Sequence, residues 1–261
     1  MNCLIETALL THGLRSIANE ELAQSWHCPD AILAWVDGGE LKLGPIGEYL
    51  PFRERSEELI RIDCDHLEGA LQTGASGALT ASGTMAVCRR LDIPMAITCG
   101  MGGIGDLRGE ELCPDLPVLM NIPVALISTS PKDMLDRPAT LDWLRRHGVH
   151  TAGEPCTGYL FCGEPVALEL PLSSCNNETA VRRLTANGGL LILNPIPEKE
   201  RVQDRSILVD AIKAGKQAEA EGHYYHPAAN GEIDRRTDGY SSRIQLESIQ
   251  QNYLLAKSIM D

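Results

Sequence analysis

Residues 93–105 read IPMAITCGMGGIG, an apolar run that ends in a cluster of glycines. The apolar part is long enough for one buried strand, and glycines let the backbone that follows approach a ligand closely. Gly100, Gly102 and Gly105 also match the G-x-G-x-x-G pattern of dinucleotide-binding proteins. That pattern needs a helix that opens on its last glycine, whereas a further glycine and a proline soon follow and interrupt any helix. We therefore expect the loop to hold a polar or anionic group, but not a dinucleotide in the Rossmann manner.

Strand and helix patterns alternate along the whole chain. Apolar runs predict buried strands at 3–11, 59–62, 93–99, 122–128 and 189–194, an alternating strand at 161–172 and a hairpin at 31–43. Helical spacing occurs at 16–26, 65–73, 80–90, 131–146 with a break at Pro138, 178–187, 207–221 and 243–260. The alternation predicts an α/β fold, a three-layer α/β/α arrangement with a mostly parallel central sheet, in a single domain spanning 1–261. In such sheets the ligand binds beyond the carboxyl ends of the strands.

Composition argues against several classes of protein. With a net charge of −13 and no basic stripe, the chain makes a poor partner for nucleic acid. No apolar segment reaches the length of a membrane span, so no membrane partner is expected. The nine cysteines form no C-x-x-C pair, which favours reduced thiols and a cytoplasmic location. His223 and His226, in the stretch HYYH, are interpreted as part of a polar loop between helices rather than as a metal-binding pair.

Lys132 is the first candidate for chemistry. It follows the predicted strand VALIS (124–128) by four residues and is predicted to stand at the opening of a helix. The positive end of the helix dipole, together with partial desolvation, would lower the pKa of Lys132 and make it a better amine nucleophile. The alternative is a surface lysine that reaches solvent.

Glu6 is the second candidate. It is a carboxylate in the middle of an otherwise apolar predicted strand, a position that is unfavourable unless the charge is paired or used. Glu6 would either form a buried ion pair with Lys132 or Arg61, or act as a proton donor with a raised pKa.

Two further segments carry polar groups at the predicted edge of the sheet. Glu110, Glu111 and Asp115 form an acidic patch just after the glycine loop, with oxygen ligands that suit Mg²⁺ or Mn²⁺, although a solvated loop has the same composition. The segment Thr80-Ala-Ser-Gly-Thr84 offers hydroxyl groups and a glycine at a helix start. Such a start suits phosphate binding, while capping of the helix is the commoner reason for these residues.

Taken together, these segments resemble the pseudouridine-5'-phosphate glycosidase family, also called indigoidine synthase A-like. The matching motifs keep the family order and cover nearly the whole chain. They are Glu6 with Thr11-His-Gly13, Gly77-Ala-Leu-Thr-Ala-Ser-Gly-Thr-Met85, the loop Thr98–Gly103, Lys132-Asp-Met-Leu-Asp136 and Asn194-Pro-Ile-Pro-Glu198.

The resemblance implies an α/β/α fold, a homotrimer and a bound divalent metal, usually Mn²⁺, for which Mg²⁺ would be the alternative. It further implies reversible cleavage of the C–C glycosidic bond of pseudouridine 5'-phosphate to uracil and ribose 5-phosphate. Lys132 falls on the family lysine that adds to C1' of the ring-opened sugar, and Glu6 falls on the proton-donating glutamate. The positions implied to contact substrate are Arg61, Ala81, Thr98, Gly100, Cys113, Pro114, Asp115 and Gln245.

Several of these positions depart from the family pattern. Arg61 stands where the family has a phosphate-contacting lysine, and Ala81 stands where it has a valine. Gln245 replaces an asparagine, and Gly105 or the next residue replaces a histidine. The metal-binding aspartate falls near Glu111, across a small gap.

The departures leave three alternative functions open. One is a lysine-imine lyase or glycosidase that acts on another sugar phosphate or C-nucleotide. A second is a nicotinamide-dependent oxidoreductase that uses the glycine loop, and a third is a non-catalytic binding relative.

Overall fold

The computed structural model describes residues 1–105 and 113–260. Within these ranges, strands and helices alternate along the chain. The strands are β1 (Cys3–Ile5), β2 (Leu33–Asp37), β3 (Glu40–Gly44), β4 (Ile60–Ile62), β5 (Gly77–Leu79), β6 (Met95–Ile97), β7 (Gly100–Met101), β8 (Ala125–Ser128), β9 (Ser130–Pro131), β10 (His150–Gly153) and β11 (Leu190–Leu193). The helices are α1 (Asn19–Ser25), α2 (Ile46–Arg53), α3 (Leu67–Thr73), α4 (Ala81–Arg90), α5 (Asp115–Asn121), α6 (Arg137–Arg146), α7 (Glu178–Leu184), α8 (Ser206–Ala220), α9 (Tyr225–Arg236) and α10 (Tyr240–Met260).

Nine of these strands form one sheet, in the order β10-β11-β8-β6-β1-β2-β5-β4, with β3 also paired to β2. Neighbours are parallel except where β2 meets β3 and β5. The two remaining strands, β7 and β9, form a small parallel sheet of their own. The predicted α/β fold with a mostly parallel central sheet is therefore confirmed.

Helices cover both faces of the large sheet, which gives the three layers. Alternate residues of each strand point to opposite faces, so one apolar run supplies two cores. One core joins the sheet to α1, α2 and α7–α10, through residues such as Ile5, Ile97 and Ile127. The other joins it to α3–α6, through residues such as Leu4 and Leu126. No helix in the described ranges is both long and apolar enough to cross a membrane.

The end of β1 is joined to two strands that run in different directions. Ile5 is in register with Leu33 at the start of β2, and the antiparallel strand β5 ends beside that same part of β2. Thr7 lies at the junction: its backbone N–H donates to Leu79 O at 3.1 Å, and its hydroxyl donates to Ala34 O at 2.8 Å. The carboxyl ends of β1 and β5 therefore meet, although the two strands are antiparallel to each other.

Several elements differ from the sequence-based predictions. The first strand ends at Ile5, and a π-helical turn, Leu9–Gly13, follows in place of its second half. No strand forms at the predicted position 161–172. Three of its residues make isolated β-bridges instead: Phe161 with Val202, Val166 with Cys156, and Leu170 with Ala152. The strand β10 was not predicted. The stretch HYYH is a loop only in part: His223 and Tyr224 lie between α8 and α9, whereas Tyr225 and His226 belong to α9.

The helix predicted at 131–146 begins later than expected. Pro131 belongs to β9, and α6 begins only at Arg137, with the Asp136 side chain accepting from Ala139 N as its cap. Pro138 lies in the first turn of α6, where a missing N–H is tolerated, so it does not break the helix. Lys132 therefore does not stand at a helix opening, and the helix dipole cannot be the cause of any shift in its pKa.

Candidate active site

A cavity of about 380 Å³ opens where the carboxyl ends of β1, β4 and β5 meet the small sheet and the start of α9. Its position beyond the strand ends is the one predicted from the sequence. Nine of the predicted site residues line it: Glu6, Arg61, Ala81, Gly100, Cys113, Pro114, Asp115, Lys132 and Gln245. Thr98 lies behind the wall and contacts Glu6. Glu111, predicted as a metal ligand, and Glu110 lie outside the described residues.

Glu6 directly follows β1 and is only 6% exposed. Its backbone N–H donates to Ile97 O at 3.0 Å, and the hydroxyl of Thr98 donates to its Oε1 at 2.6 Å. Asn252 of α10 in turn donates to the Thr98 carbonyl at 2.8 Å, which holds this segment in place. Burial raises the pKa of Glu6 to about 7, because the desolvation of the carboxylate outweighs the hydrogen bond from Thr98. The carboxyl group can therefore both hold and release a proton near neutral pH.

Lys132 reaches the same cavity from the end of β9. Its backbone N–H donates to Met101 O at 3.2 Å. Met101 is also paired in register with Pro131, the residue before the lysine. The lysine and the glycine loop are thus tied together through the small sheet. The pKa of Lys132 is lowered, first by burial and then by the positive charge of Arg61. The lowered pKa expected from the sequence is present, but its cause is desolvation and a neighbouring cation.

Asp133, the residue after the nucleophile candidate, anchors a second wall of the cavity. Its carboxylate accepts hydrogen bonds from the backbone N–H groups of Tyr159, Leu160 and Phe161 at 2.7–3.0 Å. Arg137 Nη1 lies 3.2 Å from the same carboxylate. Asp133 therefore fixes the loop that carries Tyr159 relative to Lys132.

Tyr159 and Gln245 form one hydrogen-bonded wall. The Tyr159 hydroxyl donates to Gln245 Oε1 at 2.9 Å, and Gln245 Nε2 donates to Ser241 O at 3.1 Å within α10. A Cβ at Gly100 would lie 2.7 Å from the Tyr159 ring, so only glycine fits at that position. Tyr159 was not predicted as a site residue, because nothing local in its sequence distinguishes it from an ordinary core tyrosine.

The glycine loop holds a carboxylate from its own chain. Asp115 accepts from the backbone N–H of Gly102 at 2.8 Å and from that of Ser82 at 3.0 Å. A Cβ at Gly102 would collide with the Cys113 side chain, so this glycine serves close packing. The anionic group expected at the loop is therefore Asp115, and the N–H of Gly102 is not free to cradle a dinucleotide.

The segment 80–84 acts as a helix cap. The hydroxyl of Thr80 accepts from Gly83 N at 3.3 Å at the start of α4. Since the N–H of Ser82 is bonded to Asp115, the first turn of α4 uses two of its free donors internally. Of the two predicted roles for this segment, capping is the one that the structure shows.

Helix α9 contributes polar side chains that the sequence prediction missed. His226 and Asn230 are four residues apart, so they lie on the same face of the helix, and both line the cavity. The i, i+4 spacing was a usable signal, but only once the segment is known to be helical. His12, on the π-helical turn, also lines the cavity and contacts Leu59 O through Nε2 at 3.0 Å.

The described residues do not by themselves fit a divalent metal. Among residues 1–105 and 113–260, no group of three histidine, cysteine, aspartate or glutamate side chains is placed to hold an ion. Both oxygens of Asp115 already accept backbone hydrogen bonds. A metal site here would therefore need ligands from the segment that contains Glu111.

Comparison with known proteins gives one consistent result. The sequence model of the family described as indigoidine synthase A-like protein matches residues 4–260. The pseudouridine-5'-phosphate glycosidase of Methylobacterium nodulans is 27% identical over 276 residues, which cover 98% of this chain and 81% of that protein. The enzyme of the same name from Petrotoga mobilis is 27% identical over 277 residues, which cover 98% of this chain and 89% of that protein.

Solved structures share the fold. An indigoidine synthase A-like protein from Thermotoga maritima superposes with a TM-score of 0.81 at 21% identity, covering 98% of this chain and 91% of that one. The prealnumycin C-glycosynthase AlnA, solved with ribulose 5-phosphate, gives a TM-score of 0.76 at 22% identity, covering 98% of this chain and 90% of that one. These two similarities show that the fold is shared.

The buried position of Glu6 predicts a pH-dependent gain in stability for Glu6→Gln. Because folding raises the pKa of Glu6 from 4.5 to about 7, its favourable contribution is complete below pH 4.5 and is lost as the pH rises through 7. Glutamine stays neutral throughout. We expect similar free energies of unfolding for the two proteins at pH 4, and about 3 kcal/mol in favour of the variant at pH 8, in denaturant titrations. The exposed Glu57→Gln is the control, and a pH-independent difference for Glu6→Gln would contradict the assignment.

Proposed function

The chain belongs to the indigoidine synthase A-like protein family, and on this basis we propose that it is an enzyme that cleaves pseudouridine 5'-phosphate reversibly to uracil and ribose 5-phosphate. Relatives that align over nearly the whole chain carry the name of that activity. The observation that carries the proposal is the meeting of Lys132 and Glu6 in one cavity. The pKa of the lysine is lowered there and that of the glutamate is raised, and both shifts favour a neutral amine beside a protonated carboxyl group.

This pair suits a glycosidic bond between two carbons. Such a bond has no oxygen leaving group, so the two-carboxylate route of ordinary glycosidases is poorly suited to it. In the proposed reaction, the C1'–O4' bond of the sugar ring breaks as Nζ of Lys132 bonds to C1', and the proton that the amine loses goes to O4'. The nitrogen lone pair then forms an iminium with C1' as the C–C bond breaks, and Glu6 gives its proton to the departing base carbon. Water hydrolyses the iminium, which releases ribose 5-phosphate and the lysine amine and returns a proton to the Glu6 carboxylate.

Arg61 supplies the cation for the phosphate group in this proposal. It lies between the cavity and a neighbouring groove and lines both of them, as do Tyr224 and Pro227. A guanidinium group carries a positive charge and presents several hydrogen-bond donors to phosphate oxygens. The same charge lowers the pKa of Lys132, so the phosphate-binding group also helps to keep the nucleophile unprotonated.

Three further features are proposals that rest on the family resemblance. The first is a divalent cation, Mn²⁺ or Mg²⁺, bound with the help of Glu111. The second is assembly as a homotrimer, and the third is a cytoplasmic location.

Incubation with pseudouridine 5'-phosphate and Mn²⁺ tests the reaction, with free uracil as the readout. We expect uracil release by the wild-type protein and none by Lys132→Arg, because a guanidinium stays protonated and cannot add to carbon. Borohydride added with ribose 5-phosphate should attach one sugar phosphate to the wild-type protein and none to the variant. Uracil release or labelling that survives in Lys132→Arg would remove this lysine from the mechanism.

Glu6→Gln separates the proton donor from the nucleophile. The amide keeps the shape of the side chain but has no acidic proton to transfer. We expect uracil release to fall roughly 10²- to 10⁴-fold, as is usual for loss of a general acid. Borohydride labelling with ribose 5-phosphate should remain, since no carbon–carbon bond breaks in that reaction. Unchanged turnover would leave Glu6 a structural residue.

Removal of divalent cations tests the proposed metal. We expect a chelator to abolish uracil release and added Mn²⁺ or Mg²⁺ to restore it. Glu111→Ala should raise the Mn²⁺ concentration needed for half-maximal rate, because a carboxylate ligand is lost. Full activity of the chelated protein would contradict a metal requirement, and an unchanged Mn²⁺ dependence in the variant would exclude Glu111 as a ligand.

A further inference from the structure

Two polar atoms of helix α9 are buried at the cavity wall without a partner. Nδ1 of His226 and Oδ1 of Asn230 make no hydrogen bond to any residue in the described part of the chain. Asn230 is only 8% exposed, and both residues line the cavity. Buried polar atoms are nearly always hydrogen-bonded in folded proteins, because an unmade bond leaves their desolvation uncompensated. A ligand in the cavity would supply the missing partners.

The position of His226 indicates which part of a ligand it meets. Burial lowers the pKa of His226 well below its usual value, and the charges of Lys132 and then of Arg61 lower it further. The imidazole is therefore neutral, and it shares the cavity with both cations. In the proposed reaction Lys132 holds C1' and Arg61 holds the phosphate. The part of an open-chain sugar phosphate that connects these two ends carries the hydroxyl groups.

We propose that His226 and Asn230 bind hydroxyl groups of the sugar phosphate between the carbon held by Lys132 and the phosphate held by Arg61. This inference rests on the function proposed above. A hydroxyl group both donates and accepts hydrogen bonds, so it can satisfy a neutral imidazole nitrogen as well as an amide oxygen. A phosphate dianion offers acceptors alone and cannot donate to Asn230 Oδ1. The pair would thus select a polyhydroxylated chain over a bare anion.

Calorimetric titration of the full-length protein, in the presence of Mn²⁺, tests this inference. The probes are ribitol 5-phosphate, which has the hydroxyl groups but no carbonyl to form an imine, inorganic phosphate and uracil. We expect His226→Phe and Asn230→Leu each to weaken binding of ribitol 5-phosphate about tenfold, the loss of roughly one hydrogen bond. Binding of inorganic phosphate should stay unchanged, since Arg61 is intact.

Matched variants separate a lost contact from a general disturbance. His223→Phe makes the same change at an exposed histidine that does not line the cavity, and Asn187→Leu does so at an exposed asparagine. Both should bind ribitol 5-phosphate like the wild type. His226→Asn keeps an amide group near the position of Nδ1 and should retain most of the affinity that His226→Phe loses. If the phenylalanine variant does not fold, Asn230→Leu and His226→Asn still decide the question.

The remaining outcomes overturn either the inference or the proposed reaction. An equal loss for ribitol 5-phosphate and inorganic phosphate would place the pair at the phosphate, and a loss confined to uracil would place it at the base. Unchanged affinity in both variants, or no binding of ribitol 5-phosphate to the wild type, would show that the pair does not bind a sugar chain. If the wild type releases uracil but both variants bind ribitol 5-phosphate normally, this inference alone is overturned. Binding through the pair without any uracil release would overturn the proposed reaction alone.

Discussion

The hydroxyl and the amide of Thr7 make the contacts on which the site depends. The hydroxyl donates to Ala34 O and accepts from Leu79 N, while the amide donates to Leu79 O. These bonds hold the end of β1 against β2 and against the oppositely directed β5. Without that junction, the segment after β5 would not face Glu6, because the carboxyl ends of antiparallel strands normally lie at opposite edges of a sheet. Thr7 thus joins the ends of three strands beside the cavity.

Buried carboxylates near the cavity have divided roles, and their hydrogen bonds explain the division. Asp115 accepts two backbone N–H groups and Asp133 accepts three, so both are held as structural anchors. Asp115 joins the glycine loop to α4, and Asp133 joins the lysine segment to the loop of Tyr159. Glu6 accepts one hydrogen bond, from the hydroxyl of Thr98. That single bond does not offset the desolvation of the carboxylate, so the pKa of Glu6 rises to about 7. Burial raises the pKa of Asp133 as well, but Asp133 does not line the cavity, whereas Glu6 does and is therefore placed for the proposed proton transfer.

The features that suit the cavity to chemistry also make it unfavourable for folding. An ionised Glu6, a lysine beside Arg61, and the atoms of His226 and Asn230 that have no hydrogen-bond partner among residues 1–105 and 113–260 all raise the free energy of the folded state. A bound sugar phosphate would relieve most of this cost by meeting the cations and the polar atoms together. Such tension between stability and activity is common where a site must hold groups that water would otherwise solvate.

The sequence by itself determined the class of fold and the two central residues. Apolar runs such as 93–99 indicate strands buried on both faces, and Glu6 draws attention because a carboxylate within the apolar run 3–11 is unfavourable to bury. The order of the motifs indicated the family and Lys132. These signals are local in the chain, or lie in the order of its segments, so no contact had to be known.

Only the tertiary structure decided what surrounds those residues. Lys132 was predicted at a helix start, yet Ser130 and Pro131 pair with Gly100 and Met101, and that pairing delays α6 to Arg137. The role of Tyr159 likewise depends on its hydrogen bond to Gln245, and that of Asn230 depends on the cavity formed with distant segments. A pattern of neighbouring residues carries no information about which distant backbone will offer a hydrogen bond. The candidates for the reacting groups could therefore be identified from local sequence, whereas the burial and charges that shift their pKa values, and the residues around them, are set by the packing of segments far apart in the chain.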